Sequence, residues 1–226
     1  MMHASRFLKL AATCAATALL VACATPKPYD YTAFKQARPK SILVLPPVNK
    51  SPDVKATYSF LSWTSYPLGE AGYYVFPVAM VDETFRQNGL VSPDEIVGVS
   101  HAKLREIFGA DAALYIEITD YGTRYMVFSS VTRVTANAKL VDLRTGTTLW
   151  NGVATASNDE GNNNNSGGGL IGMLVTAAVK QVVNTVSEQG HPIAGITSQR
   201  LLAPRPNGLL YGPHAANYGK DDAPQR

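Results

Sequence analysis

The side chain with the clearest chemistry is Cys23. It closes the tetrapeptide Leu20-Val21-Ala22-Cys23, a Leu-x-small-Cys arrangement preceded by Arg6, Lys9 and an apolar stretch from Leu10 to Val21. A basic start, an apolar centre and small residues at the end are the three parts of a secretory signal. The tetrapeptide has the form of a bacterial lipobox. A small residue at Ala22 lets the backbone enter a peptidase cleft, and the Cys23 thiol can then carry a thioether-linked diacylglycerol. The freed amine can take a third acyl chain, and two or more chains hold a protein on a membrane without a spanning helix. The stretch from Leu10 to Val21 is too short to span, since a transmembrane helix needs about 20 residues. Ala24 stands where an aspartate would signal inner-membrane retention, so delivery to the outer membrane, facing the periplasm, is expected.

The remaining candidates for chemistry are sparse. Cys14 leaves with the signal and Cys23 is consumed by lipid, so no thiol remains for a disulfide, a zinc site or a nucleophile. His101, His191 and His214 survive processing, but no His-x-x-x-His or Cys-x-x-Cys fixes a ligand geometry. Solvated or locally hydrogen-bonded imidazoles account for them. Asp82-Glu83 and Asp94-Glu95 are adjacent acids, and neighbours on a helix point about 100° apart and converge poorly on one atom. Asp94 suits the start of a helix, where the dipole favours negative charge. Glu117 and Asp120 read as the polar face or end of a strand. There is no Gly-x-Ser-x-Gly elbow or Ser-x-x-Lys motif. The Gly161–Gly169 stretch lacks the Gly-Lys-Ser/Thr ending of a phosphate loop, and Asn164-Asn165-Ser166 is a glycosylation sequon that bacterial export leaves unused. No catalytic, cofactor-binding or metal-binding residue is assigned.

Aromatic residues offer recognition instead. Tyr58, Phe60, Trp63, Tyr66, Tyr73 and Tyr74 are dense enough to form either core, the default for large aromatic side chains, or the centre of an interface. Residues 170–186 have a helical pattern, with Leu174, Ala178, Val182 and Val186 in one row and apolar positions on more than one face. A partner or a second copy of the chain could cover them. Lys180 interrupts this stretch, which argues against a membrane span.

These residues must be positioned by a core. The chain has 226 residues, 46% apolar and 16% charged. Removing the first 22 leaves 204 residues, enough to bury roughly 70% of the surface that the unfolded chain exposes. Basic and acidic side chains number 20 and 17, and 18 and 17 once Arg6 and Lys9 are gone. Nucleic-acid binding, which needs a basic face, is therefore not expected.

Residues 1–22 read as signal, 23–40 as a lipidated tether with Pro26, Pro28 and Pro39, 41–203 as one domain and 204–226 as an extended tail. Within the domain, Ile42-Leu43-Val44-Leu45 before Pro46-Pro47 suits a strand buried on both faces. The end of Tyr58–Leu68 reads as a short helix or loop. Tyr73–Phe76 has strand composition, and Val78, Val81 and Phe85 predict a helix over 78–88. Ser92-Pro93 marks a helix start, and Leu104, Ile107 and Phe108 share a helix face over 101–108.

Alternation predicts strands from Ala112 to Thr119 and through Val134, Ala136, Ala138 and Leu140. Asp142-Leu143-Arg144-Thr145-Gly146 is a hairpin loop with a bulge, and Thr147–Ala156 returns. Residues 112–156 thus form a three-stranded antiparallel meander. Gly161–Gly169 cannot bury apolar surface, and 193–202 reads as a last short helix after His191-Pro192. The fold class is α/β (α+β): a mixed sheet flanked by helices.

The lipobox, the strand before Pro46-Pro47, Gly109-Ala110-Asp111-Ala112-Ala113-Leu114, the Asp142–Trp150 hairpin and Leu209-Leu210-Tyr211-Gly212-Pro213 together resemble a family of uncharacterised bacterial lipoproteins that includes a meningococcal surface antigen. More distantly, the Asp-x-x-Thr-Gly turn with Leu149-Trp150 is similar to the α/β domain of the curli secretion lipoprotein, the TolB N-terminal domain and the lipoprotein activators of penicillin-binding proteins. The resemblance implies a periplasmic, non-enzymatic α/β domain engaged with other envelope proteins. Membrane-inserting hairpins of a curli-type channel are not evident. A periplasmic small-molecule or peptidoglycan-fragment binder is the alternative, and it predicts a concave aromatic pocket around residues 58–76. A hydrolase with a non-standard site is the third.

Overall fold

The computed structural model describes residues 29–126, 129–160 and 189–220. The signal segment, Cys23, the Gly161–Gly169 loop and the 170–186 helix with Leu174 and Val182 lie outside them. The elements run α1 (Thr32–Ala37), β1 (Ser41–Val44), β2 (Val48–Asn49), α2 (Ala56–Leu61), α3 (Ser65–Glu70) and β3 (Tyr74–Val75). Then follow α4 (Val78–Gln87), α5 (Pro93–Ile96), α6 (His101–Phe108), β4 (Ala112–Met126), β5 (Ser129–Asp142), β6 (Thr148–Ser157) and α7 (Gly190–Leu202).

The sheet order is β3-β1-β4-β5-β6, with β2 also paired to β4. β1 runs parallel to β3 and β4, while β4–β5–β6 form the antiparallel meander. The crossover from β1 to β3 carries α2 and α3, and the return from β3 past β1 to β4 carries α4, α5 and α6. Crossovers of one hand that run in opposite directions place their helices on opposite faces. The parallel strand β1 is accordingly covered on both sides, and Ile42, Leu43, Val44 and Leu45 are all fully buried.

On one face, Leu43, Leu45, Ala113 and Leu143 pack with Val81 and Phe85 of α4, Ile96 of α5 and Leu104 of α6. On the other, Leu114, Ile116, Ile118, Val134, Ala136, Ala138 and Leu140 are buried. There α7 lies against the meander with Ile193, Ala194, Leu201 and Leu202 inward. Thr197 is fully buried there, its hydroxyl 2.9 Å from the Ile193 carbonyl of the same helix and 3.3 Å from the Val134 carbonyl.

Local chemistry explains the boundaries. Ser100 caps α6 by accepting from the Lys103 amide at 3.3 Å, and Gly109 ends it at φ 68° in the left-handed region. Pro93 occupies the first turn of α5, where its missing amide costs nothing. In the β5–β6 turn, Asp142 Oδ1 accepts from the Arg144 and Thr145 amides at 2.7 and 3.0 Å. Gly146 closes that turn at φ 73°, beside a register shift between Leu140 and Val141.

Several expectations are corrected. The tether reading of 23–40 gives way to α1 over Thr32–Ala37, where Phe34 is buried and Arg144 Nη2 donates to the Ala37 carbonyl at 2.8 Å. The tail beyond Pro204 is packed over its first part rather than free. Leu209 and Leu210 are buried, Tyr73 donates to the Leu210 carbonyl at 2.6 Å, and the Gly212 amide donates to the Ala71 carbonyl at 2.7 Å. The β4–β5 strands reach well past Thr119, to Met126 and back from Ser129. His191-Pro192 falls inside the first turn of α7 rather than ahead of it. The end of the Tyr58–Leu68 segment is the short helix α3, as expected, and a second helix, α2, precedes it.

Candidate functional site

The aromatic residues of α2 and α3 divide between core and surface. A six-residue helix cannot hide every ring of Tyr58, Phe60 and the nearby Trp63, because successive side chains point about 100° apart. Phe60 is fully buried, so its assignment to an interface is corrected: it is the anchor of α2. Tyr58, Trp63 and Tyr66 stay 45%, 38% and 65% exposed. Of the flanking pair, Tyr73 is buried and Tyr74 is 54% exposed.

Two of the exposed rings are held in place. The Arg86 guanidinium lies over the Tyr58 ring at 5.7 Å from its centroid, and Arg86 Nη2 donates to the Tyr58 hydroxyl at 2.6 Å. Arg86 Nε also pairs with Asp82 at 3.0 Å. Hydrogen bonding to Tyr58, with the charge of Asp82, holds the guanidinium above its ordinary range. Trp63 packs against His191, with ring centroids 5.1 Å apart and the planes tilted by 39°. Beneath it, Gly195 of α7 leaves room, since a Cβ there would meet the Trp63 ring at 3.0 Å. Ser198 of the same helix donates to the Trp63 carbonyl at 3.1 Å.

Under Trp63 runs a polar chain that sequence reasoning missed. Tyr121 donates to Ser59 Oγ at 2.7 Å, and Ser59 Oγ bonds His191 Nδ1 at 2.9 Å. A serine hydroxyl against an imidazole is half of a nucleophile–base pair, which also needs a group orienting the base. Among the described residues the His191 side chain makes no other hydrogen bond, and the polar chain links α2, β4 and α7. The partners are 62 and 132 residues apart, and no local pattern could have announced them.

The other candidates are placed as follows. Glu83 accepts from Gln87 at 2.9 Å on α4, Asp94 pairs with Lys50 at 2.9 Å, and Asp120 pairs with Arg124 at 3.0 Å. His101 stands edge-on to Tyr115 with centroids 6.2 Å apart, while His214 is exposed and donates its amide to the Gly72 carbonyl. Among the described residues no group of three or more His, Cys, Asp or Glu is placed to hold a metal, and no helix is long and apolar enough to cross a membrane. Among the described residues, a cavity of about 360 Å³ is lined by residues of α1, Arg38, Pro39 and the C-terminal segment rather than by the aromatics of 58–76.

Comparison with known proteins agrees with this architecture. A family model described as lipoprotein GNA1162-like matches residues 29–214. The protein named lipoprotein NMB1124/NMB1162 of Neisseria meningitidis serogroup B is 50% identical over 202 residues, covering 88% of this chain and 93% of that protein. The crystal structure of lipoprotein GNA1162 from Neisseria meningitidis superposes with a TM-score of 0.53 at 54% identity, covering 65% of this chain and all of that one. The LpoB C-terminal domain of Salmonella enterica aligns at 19% identity with a TM-score of 0.37, over 52% of this chain and 82% of that one. With its sheet, its helices and the C-terminal segment as far as His214 inside the matched region, the chain belongs to the GNA1162-like lipoprotein family.

Proposed function

We propose that this chain is an outer-membrane lipoprotein, acylated at Cys23, whose periplasmic α/β domain docks other envelope proteins without catalysing a reaction. The observation that carries this reading is the exposure of three large rings in α2, in α3 and in the turn between them. Tyr58, Trp63 and Tyr66 present large apolar rings to solvent, and two of them are fixed by Arg86 and His191. Rings already immobilised lose little side-chain entropy on binding, which is how aromatic anchors come to dominate interfaces. The Leu20–Cys23 tetrapeptide and the family's lipoprotein designation support the anchor.

The test is a photo-crosslinking amino acid placed at Tyr66 in cells, compared with one at Val153 on the open polar face of the sheet. Defined adducts from position 66 that disappear with Trp63→Ala support the reading. Equal adducts from both positions, or none from 66, overturn it. A second copy of the chain among the adducts would identify the partner as self. A Cys23→Ser form should leave the membrane fraction.

A further inference from the structure

The cavity between α1 and the C-terminal segment has the chemistry of a ligand site. Its volume of about 360 Å³ lies in the range of small-molecule pockets, about 300 to 1,000 Å³. Phe34 and Leu210 give it an apolar floor, being 4% and 7% exposed. Tyr211 and Tyr218 line its walls, Lys35 and Arg38 bring two cations, and none of its described lining residues is acidic. An apolar floor rimmed by cations is complementary to an amphiphilic anion, with the oxyanion at the rim and the apolar part below.

Arg38 adds an independent observation. It closes α1 at φ 46° and ψ 56°, the left-handed conformation that glycine adopts freely and other residues adopt at a cost. Such conformations persist where the surroundings enforce them and gather at ligand clamps. The Arg38 side chain is exposed, and its Nε donates to the Lys35 carbonyl at 3.3 Å. The other four guanidinium N–H groups find no acceptor among the described residues. A guanidinium suits a phosphate geometrically, since two parallel N–H groups can meet two oxygens. Tyrosine rings with one apolar and one polar end are suited to a lipid–water boundary. Phe34 also lies close to Cys23 along the chain, within about 40 Å even when fully extended.

We propose that this cavity binds the phosphodiester headgroup of an anionic phospholipid. Arg38 holds the phosphate, and Phe34 and Leu210 meet the apolar portion beneath it. The proposal rests on the Cys23 anchor for its access to lipid. Glycerol phosphate in solution carries the same chemistry, so the experiment separates the two sources.

Full-length protein is reconstituted in nanodiscs of phosphatidylcholine, with and without a share of phosphatidylglycerol. Hydrogen exchange is then read over residues 31–40 and 208–220. Phosphatidylglycerol should slow exchange there about tenfold relative to neutral discs, and glycerol phosphate added to neutral discs should not. Equal protection by glycerol phosphate supports the cavity and assigns it a soluble phosphoester. Arg38→Gly removes the guanidinium and relaxes the backbone, so this variant should fold at least as stably as the parent while losing the lipid-dependent protection. Co-elution with discs but no protection, or protection that survives in Arg38→Gly, overturns the cavity assignment alone. Failure to co-elute with discs overturns the anchor at Cys23 and the headgroup source with it.

Discussion

Substitution of Asp142 tests how the β5–β6 turn is held. This carboxylate is only 2% exposed and accepts four hydrogen bonds. Two come from the Arg144 and Thr145 amides at 2.7 and 3.0 Å, and two from Arg144 Nη2 and Nε at 2.9 and 3.3 Å. Burial pushes the Asp142 carboxyl up, but the bonds from Arg144 and the turn amides outweigh it and hold the carboxyl below its ordinary range. Asp142→Ala strips the charged acceptor from two backbone amides. At about 1.5–3 kcal/mol for each bond to a charged group, and less than additive for a shared partner, the loss is about 3 kcal/mol. In a domain of this size that is a fall of about 6–12 °C in Tm.

Asp142→Asn keeps an oxygen for both amides and loses only the ion pair, so its cost is about 1 kcal/mol. The two variants also differ in acid. A carboxyl whose native pKa lies below its unfolded value of about 3.9 contributes fully above that value, and the contribution is lost as pH falls through the native pKa. The parent should therefore lose stability more steeply below about pH 4 than Asp142→Asn does. Thermal melts followed by circular dichroism between pH 3 and 7 measure both effects. Equal losses for Ala and Asn at pH 7 would refute the assignment of the turn's stability to backbone capping.

Three further outcomes are expected. Gly72 sits at φ 88° with Ala215 N only 2.4 Å from where a Cβ would stand, so Gly72→Ala should lower stability by more than about 2 kcal/mol. Limited proteolysis should then cut first between residues 209 and 220. Tyr73→Phe deletes a buried bond to the Leu210 carbonyl and should cost about 1–2 kcal/mol in denaturant melts. In Gly195→Ala, a gain in helix propensity of about 1 kcal/mol opposes the contact with Trp63. The melting temperature should barely move, while tryptophan fluorescence shifts red. Trp150 is fully buried and supplies the constant background, so an unchanged spectrum would show that Trp63 had not moved.

What the residues disclosed depended on how local their causes are. Helix α6 could be bounded to the residue, because Ser100 and Gly109 act within one turn of its ends. The Asp142–Gly146 turn was legible for the same reason. The outer half of the β4–β5 hairpin was not. A register shift between Ile118 and Asp120 breaks the alternation, so that Tyr121 rather than Asp120 is buried, and a period-two reading stops at Thr119. Helix α1 is too short to show a period, and only Phe34 marks its inner side. The C-terminal segment carried one sign of burial: Leu209-Leu210, an apolar pair among prolines and glycines. At the aromatic face, density of rings was visible, but which would be buried was not. Phe60 and Tyr66 differ in outcome through their position on helices whose ends no strong cap announces.

The contact of Tyr31 with the Gly208 carbonyl ties the beginning of the domain to its last stretch. Tension drawn along the chain from residue 30 is thereby met first at a clasp of α1 and the C-terminal segment, which leans on β6 and the β5–β6 turn. A pull that opens the clasp would free Phe34 and Leu210 while the meander stays intact, so the domain should yield in two mechanical steps with the smaller one at its threshold.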